Sequence, residues 1–538
     1  MRSQNIQKDL SLIGDNLINK FIQKDKILEG IIDHFYEEKN ILKKTIDKKE
    51  VFPDENRKVL VDQLKKQYSK VKLSKETSTN INSLIDSNTF TITTGHQLNL
   101  FTGPLMVIYK IAQVISMARF LNSKIKNFNY VPIFWLASED HDFDEISQVN
   151  ISNEQIKWDI DSHNNRVGKI ILNDFNRITD DYKSKIIDAE FKIQLEELIN
   201  QSYINEDSLS FSTLKFINSL FGGHGLIIID PDKKAFKELF IENFKNEIID
   251  SRCKIDTEKQ IKKNKKDIES YKPQVNPSEI NFFKITSRGR KRIRIKNNAI
   301  SVDEEKEYST EELINQIESN PERFSPNVLM RPLFQEKILP NICYVGGPNE
   351  LKYWMQLKLF FDNSNLQYPI LKLRSSAFII DQKTSLKIKK TDVELEYFFK
   401  NINDLVNYKL KKLSSVNVSF DSIKETLSDQ FNKLRDVSNK TNKSFEGALN
   451  AQEKKQMKGI DDLEKKLIKA EKKNHQEQIN NIKIIFESLH PNNIDQERHL
   501  NFANFYSLKG QGLIDHLVDK VLIPDDKILV INLEDSFQ

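Results

Sequence analysis

Along residues 1 to 85 the apolar positions fall three and four apart, as at Leu10, Leu12, Ile13, Leu17, Ile18 and Phe21, the spacing of amphipathic helices. The period then changes. "FTITT" (90–94) predicts a strand, residues 105 to 121 a helix, and "NYVPIFWLAS" (129–138) a second strand. That second run is apolar on both faces, as parallel strands covered by helices tend to be. Strand, glycine turn, helix and strand make a βαβ unit with a right-handed crossover. "GLIIIDPD" (225–232) reads as a third buried strand ending in acidic and Pro residues. Residues 151 to 205 are polar and irregular and read as an insertion. Inside a second insertion, about 255 to 320, "FKITSRGRKRIRIKNNAISV" (283–302) alternates around a turn like an antiparallel hairpin. "NICYVGGPNELKYWMQL" (341–357) repeats the strand, double-glycine, helix theme, and "YPILKLRSSAFII" (368–380) predicts one more strand. Residues 1 to 385 are therefore expected to form a doubly wound α/β core with N-terminal helices and insertions.

From 386 the pattern becomes heptad-like. Phe420, Ile423, Leu427, Phe431, Leu434 and Val437 recur at three or four, as do Ile460, Leu463, Leu467 and Ala470, then Ile479, Ile482, Phe486 and Leu489. Lys and Glu fill the gaps, and residues 386 to 489 contain no Pro. Two long helices in an antiparallel coiled-coil arm, 386 to 490, are predicted. Gly447 and nearby Asn residues in "NKSFEGALNAQ" supply the turn, which disfavours one long parallel coil. Residues 491 to 538 regain globular composition and are expected to pack back on the core.

Composition narrows the function classes. The chain has 538 residues, 38% hydrophobic and 30% charged, too long for one core and apolar enough to bury several. Its net charge of +4 provides no general attraction for a polyanion, so nucleic acid is not an expected partner. No apolar run reaches the ~20 residues of a membrane span, and the charged N-terminus lacks a signal-peptide pattern. Two cysteines, Cys253 and Cys343, lie far apart without CxxC spacing, which excludes a disulfide framework and a Cys-rich zinc site. A cytoplasmic location is the expectation.

Two loops concentrate candidate chemistry. In "TTGHQLNLFTGP" (93–104), Gly95, His96, Gln97, Asn99, Thr102 and Gly103 stand between a strand and a helix. Open backbone and a helix N-terminus there would suit an anionic group, against the plainer reading of a tight turn. The stretch is neither GxGxxG nor a P-loop. In "SEDHDFDEI" (138–146), Glu139, Asp140, His141 and Asp142 follow a strand end, where open α/β sheets bind ligands. They could act as acid and base or bind an amine or ribose hydroxyls, or form only a solvated acidic loop. Consecutive residues cannot all point at one ion, so no metal ligand set is read.

Further along, Asn327 and Arg331 in "FSPNVLMRPLFQ", Gly346 and Gly347 in "YVGGPNELKYW", and Arg374 and Ser375 in "LRSSA" are candidate binding residues. Arg331, before Pro332, is expected in extended backbone, poised for a carboxylate or phosphate. Structural salt bridges are the competing reading for both arginines. The basic "RGRKRIRIK" (288–296) lacks interleaved aromatic residues and reads as a solvated strand face. Cys343 reads as an inert buried thiol. In "QERHLNF" (496–502), Glu497, Arg498 and Asn501 fall near each other on a helix.

The quoted segments, in this order, resemble the bacillithiol-biosynthesis cysteine-adding enzymes, the BshC family, across roughly residues 90 to 515. The resemblance implies a Rossmann-like core with connecting-peptide insertions, similar to class I aminoacyl-tRNA synthetases and related nucleotidyl transferases. It also implies a coiled-coil arm that promotes homodimerisation. The implied activity joins cysteine to glucosaminyl-malate through an amide, the last step of bacillithiol synthesis. ATP or another nucleotide is the implied co-substrate, and Mg²⁺ could accompany it. A second nucleotide pocket is implied near the coiled coil, with Glu497, Arg498 and Asn501 as its candidates. His96 stands where many members carry Gln. On this expectation the Gly95-to-Pro104 turn cradles phosphate, the acidic loop handles the amine, and Arg331 and Arg374 hold carboxylates. The rivals are a ligase with another acceptor, an inactive coiled-coil scaffold, and an RNA-binding protein.

Overall fold

The computed structural model describes every residue except 153, 161–164, 205, 207, 297–298, 303–305, 415–418, 439–442 and 535–538. The chain divides into two compact units, Met1–Ile379 with Gln496–Gln538, and Ile380–Asp495.

At the centre of the first unit lies a five-stranded sheet, all parallel: β1 (Thr89–His96), β2 (Asn129–Leu136), β3 (Ile227–Ile229), β4 (Asn341–Gly346) and β5 (Ile370–Leu373). Its spatial order is β3-β2-β1-β4-β5. The order reverses between β1 and β4, the position where ligands bind in doubly wound sheets. Thr89 to Gly95 are all buried, and β2 is buried from Tyr130 to Leu136, which explains why these strands read as continuous rather than alternating. The crossover from β1 to β2 is the helix α1 (Leu105–Lys124). It is long and apolar enough to cross a membrane, but 72% of its most apolar window is buried inside the protein. It is a core helix.

Four sequence expectations change. Residues 2 to 7, expected in a helical region, form a strand (Arg2–Gln7) antiparallel to Lys527–Asn532. Only Ile6 of its six residues is buried, so it lacks the alternation that marks a strand. "YPILKLRSSAFII" is two strands, because Arg374 N–H donates to Gly346 O and Ser375 N–H to Gln113 Oε1. Ser376–Ile380 then leaves β5 and joins the sheet of Lys527–Asn532. The 151–205 segment is not irregular: its described residues include a hairpin, Gln148–Ile151 with Glu154–Lys157, and helices Asn176–Lys185 and Lys192–Tyr203. Arg331 is not extended. It begins the helix α2 (Arg331–Ile338), whose Pro332 sits in the first turn, where a missing N–H breaks no helical bond.

The basic segment is antiparallel as expected, within a five-stranded sheet that also includes Phe282–Thr286 and Phe324–Pro326. Its 297–298 turn lies outside the described residues. After β4 comes the helix α3 (Pro348–Trp354).

The second unit is helical: Ile402–Leu413, Asp421–Ser438, Lys443–Asn474 and Gln476–Leu489. Lys424 bonds Glu464 at 2.6 Å and Arg435 bonds Glu453, so numbers rising on one helix meet numbers falling on the next, an antiparallel pair. Gly447 lies inside a helix and makes no turn. The connection at 439–442, where the expected turn begins, lies outside the described residues.

Candidate functional site

All five strands lead to one cavity of about 790 Å³, reached by Gly95 and His96 from β1, Trp135 and Ala137 at the end of β2, Pro231 after β3, Tyr344 from β4 and Arg374 after β5. Among the described residues its lining carries seven cationic side chains against five carboxylates. Three of the cations, Arg292, Arg331 and Arg498, are in no ion pair within the described residues. An excess of positive charge in a concave site favours an anionic ligand.

From the first loop only Gly95, His96 and Gln97 reach the cavity. Asn99, Thr102 and Gly103 do not, so the far half of the expected phosphate cradle lies outside it. Three backbone donors at the turn's far end are taken: Thr102 N–H by Asn99 O, Gly103 N–H by Leu100 O, and Leu105 N–H, the start of α1, by Leu500 O at 2.8 Å. Asn501 Nδ2 holds the Phe101 and Gly103 carbonyls at 2.9 and 2.6 Å. Phe101, Thr102 and Gly103 all have positive φ, a strained run that Asn501 clamps. At Gly103 (φ +67) a Cβ would stand 2.6 Å from Asn99 Cβ, so only glycine fits. Asn99 Nδ2 in turn donates to Glu145 O.

Of the acidic loop, Glu139, Asp140 and His141 line the cavity and Asp142 does not. Asp142 is exposed and caps the short helix Phe143–Ile146. Glu139 is buried and bonded by Lys237 Nζ, and burial raises its pKa. Asp140 Oδ2 accepts Gln97 Nε2 at 2.9 Å, and Oδ1 accepts His141 N–H at 2.8 Å. Burial opposes its charge, but hydrogen bonds from His141 and Gln97 and the charge of Arg290 outweigh it and hold its pKa below the usual carboxylate range. His96 moves the other way: burial first, then Lys110, lowers it to about 4, so the imidazole is neutral at pH 7.

Arg331 donates to Tyr353 Oη at 3.0 Å and Gln335 Oε1 at 3.1 Å. Arg374 bonds Glu497 Oε1 at 2.6 Å, both side chains at most 3% exposed. Asn327 and Gly347 reach the cavity; Gly346 and Ser375 are buried behind it. Asn327 Oδ1 accepts the N–H groups of Leu329 and Met330, fixing the turn before α2. Glu497, Arg498 and Asn501 do not build a separate pocket. Arg498 lines this same cavity, Glu497 anchors Arg374, and Asn501 holds the 101–103 loop.

Several cavity residues went unremarked in the sequence. Lys110 is 1% exposed and donates to Gly95 O at 2.5 Å and Glu350 Oε2 at 2.8 Å. A lone Lys in the apolar "LMVIYKIAQVI" is the signal for it, since a buried cation requires a partner. Arg290, Arg292 and Arg294 come from the basic hairpin; Arg292 and Arg294 are exposed, as a solvated face requires, and the reading is corrected at Arg290, which is buried. Glu350 also accepts Gly347 N–H and Tyr344 Oη, each at 2.7 Å. Burial opposes its charge; Lys110, Gly347 and Tyr344 outweigh this and lower its pKa from 4.5 to about 2. A carboxyl depressed in the folded state stabilises the fold above its unfolded value, and that contribution fades between about pH 4.5 and 2. Glu350→Gln is therefore expected to cost about 2 kcal/mol at pH 7, with the gap from wild type narrowing in urea melts below pH 4.5. A gap independent of pH would contradict this origin.

Among the described residues no three His, Cys, Asp or Glu side chains gather as a metal-binding group. A parallel sheet in Rossmann order with a cationic crevice at its switch point defines a doubly wound α/β protein of the Rossmann-like class. Comparison with known proteins identifies the lineage. The family model described as "Bacillithiol biosynthesis BshC, N-terminal Rossmann-like domain" matches residues 1–375, and the companion "C-terminal coiled-coil domain" matches 377–533. Relatives named "Putative cysteine ligase BshC" are 38% identical in Flavobacterium johnsoniae (94% of this chain, 95% of that protein) and 38% in Christiangramia forsetii (96% and 97%). A third, from Flavobacterium psychrophilum, is 37% identical over 94% of each. This chain belongs to the BshC family of bacillithiol biosynthesis.

Proposed function

We propose that this protein is a cysteine ligase that joins the carboxyl of cysteine to the amine of glucosaminyl-malate, forming bacillithiol. The cationic cavity at the switch point is the observation that supports this reading, together with the family's name. Both partners are small and carry carboxylates, and the cavity presents Arg292, Arg331 and Arg498 without acidic partners of their own.

A carboxylate is a poor electrophile, so amide formation at neutral pH requires its activation. A cysteine carboxylate oxygen attacks the α-phosphorus of ATP, forming an adenylate as pyrophosphate departs. The glucosamine nitrogen then attacks the acyl carbon, AMP leaves, and the amine proton passes to a base. Glu139, whose pKa burial raises, is suited to take that proton. Arg331 and Arg498 hold carboxylates, and Arg292 faces the phosphates. Any Mg²⁺ would arrive with the nucleotide, because among the described residues no three His, Cys, Asp or Glu side chains gather to hold one.

The second unit supports a homodimer. Ile423, Leu434 and Leu463 of its antiparallel helices are 45 to 59% exposed, an apolar stripe that a second copy would cover. Purified protein incubated with ATP, cysteine and glucosaminyl-malate should yield bacillithiol and AMP, and should sediment as a dimer. Bacillithiol without nucleotide turnover would remove the adenylate step, and no bacillithiol with any nucleotide would remove the ligase reading.

A further inference from the structure

Arg290 reaches from the hairpin strand into the acidic loop and is almost fully buried there. Its guanidinium is fixed on every side. Nε donates to Ser325 Oγ at 3.1 Å, one terminal nitrogen donates to Pro326 O at 2.7 Å, and Phe283 lies beneath the guanidinium carbon with its centroid 4.0 Å away. The other terminal nitrogen stands 3.1 Å from His141 Nδ1 and 3.6 Å from Asp140 Oδ1.

A guanidinium has donors and no acceptor. The His141 nitrogen facing it must therefore be the lone-pair nitrogen, which leaves the proton on Nε2. Asp140 Oδ1, 3.4 Å from the same Nδ1, favours the opposite tautomer. That oxygen is farther away and already accepts the His141 backbone N–H at 2.8 Å. Nε2, one ring carbon away from Nδ1 and pointing in a different direction, has no partner among the described residues. The ring borders the cavity and is 35% exposed.

We infer that Arg290 is a positioning residue that holds His141 as its Nε2–H tautomer, making His141 a hydrogen-bond donor to an oxygen of the bound substrate and not a general base. The oxygens that develop charge during acyl activation and transfer, carbonyl or phosphoryl, are the acceptors such a donor serves. Removing the proton from the amine then falls to another group. The identity of that acceptor rests on the ligase reading above; the tautomer does not.

Full-length protein labelled with ¹⁵N-histidine decides the matter by long-range proton–nitrogen correlation at pH 7. The His141 signals are assigned by their loss in His141→Gln. Wild type should show a protonated Nε2 and a bare Nδ1. In Arg290→Met, with the fold checked by circular dichroism, Asp140 has no competitor and the proton should move to Nδ1. The turnover number should fall about 100-fold with KM little changed. Arg290→Lys, which restores a donor, should return the wild-type tautomer and part of the rate. A proton on Nδ1 in wild type overturns the inference, and so does an unchanged tautomer in folded Arg290→Met. Absence of ligation in wild type would defeat the ligase reading and leave the tautomer assignment standing.

Discussion

Glu497→Ala is expected to lower the stability of the Rossmann-like unit by about 3–5 kcal/mol. Glu497 and Arg374 bond at 2.6 Å with 2% and 3% of their side chains exposed. Deleting the carboxylate takes the 2.6 Å charged partner from a buried guanidinium, which costs far more than a surface pair is worth. The same carboxylate accepts Ala377 N–H at 3.2 Å, and neighbouring Gln496 accepts Ile379 N–H and donates to Ile379 O. The substitution therefore also loosens the C-terminal segment that bonds the 99–105 loop. Replacing both partners, Arg374→Met with Glu497→Leu, should recover most of the loss, because no charge is then stranded. Urea melts followed by tryptophan fluorescence isolate the effect, since Trp135, Trp158 and Trp354 all lie in the first unit. A cost under about 1 kcal/mol for the single variant would reduce the pair to an ordinary surface contact.

What the sequence made legible follows from where the signal is local. Strands β1, β2 and β4 announce themselves because both faces are buried and the apolar run is continuous. The coiled-coil helices do so by period. Arg2–Gln7 carries one buried residue in six and gives no pattern; only its partner strand near the other end of the chain, Lys527–Asn532, makes it a strand. The candidate site divides the same way. Gln97, Asp140 and His141 stand out because polar residues crowd a strand end. The failure of the 99–103 turn as an anion cradle depends on Leu500 and Asn501, some 400 residues along the chain. Arg290 looked as solvated as Arg292 and Arg294 because alternation reports which residues share a face, not what each one meets. Arg290 meets the acidic loop.

Arg331→Met is expected to reduce kcat/KM by about 10²–10³-fold while leaving stability nearly unchanged. The two halves of this expectation come from the same geometry. Among the described residues Arg331 bonds neutral groups alone, the Tyr353 hydroxyl at 3.0 Å and the Gln335 amide oxygen at 3.1 Å, over the Tyr344 ring at 5.7 Å, and the nearby Glu350 keeps Lys110 as its own partner. Its removal strands no carboxylate, in contrast to Glu497→Ala, which takes the charged partner from a guanidinium. What it does remove is a cation facing a cavity that already holds more positive than negative groups. Such an arrangement is self-repelling until an anion enters, so the favourable interaction is made in the complex and lost with the residue. A carboxylate remote from the reacting carbon is held equally in ground and transition states, so the loss should appear as a raised KM for glucosaminyl-malate with kcat retained. Arg331→Lys should recover only part of it, since an ammonium lacks the planar fork that matches a carboxylate. An unchanged KM in a folded Arg331→Met protein would show that the dicarboxylate is held elsewhere in the cavity.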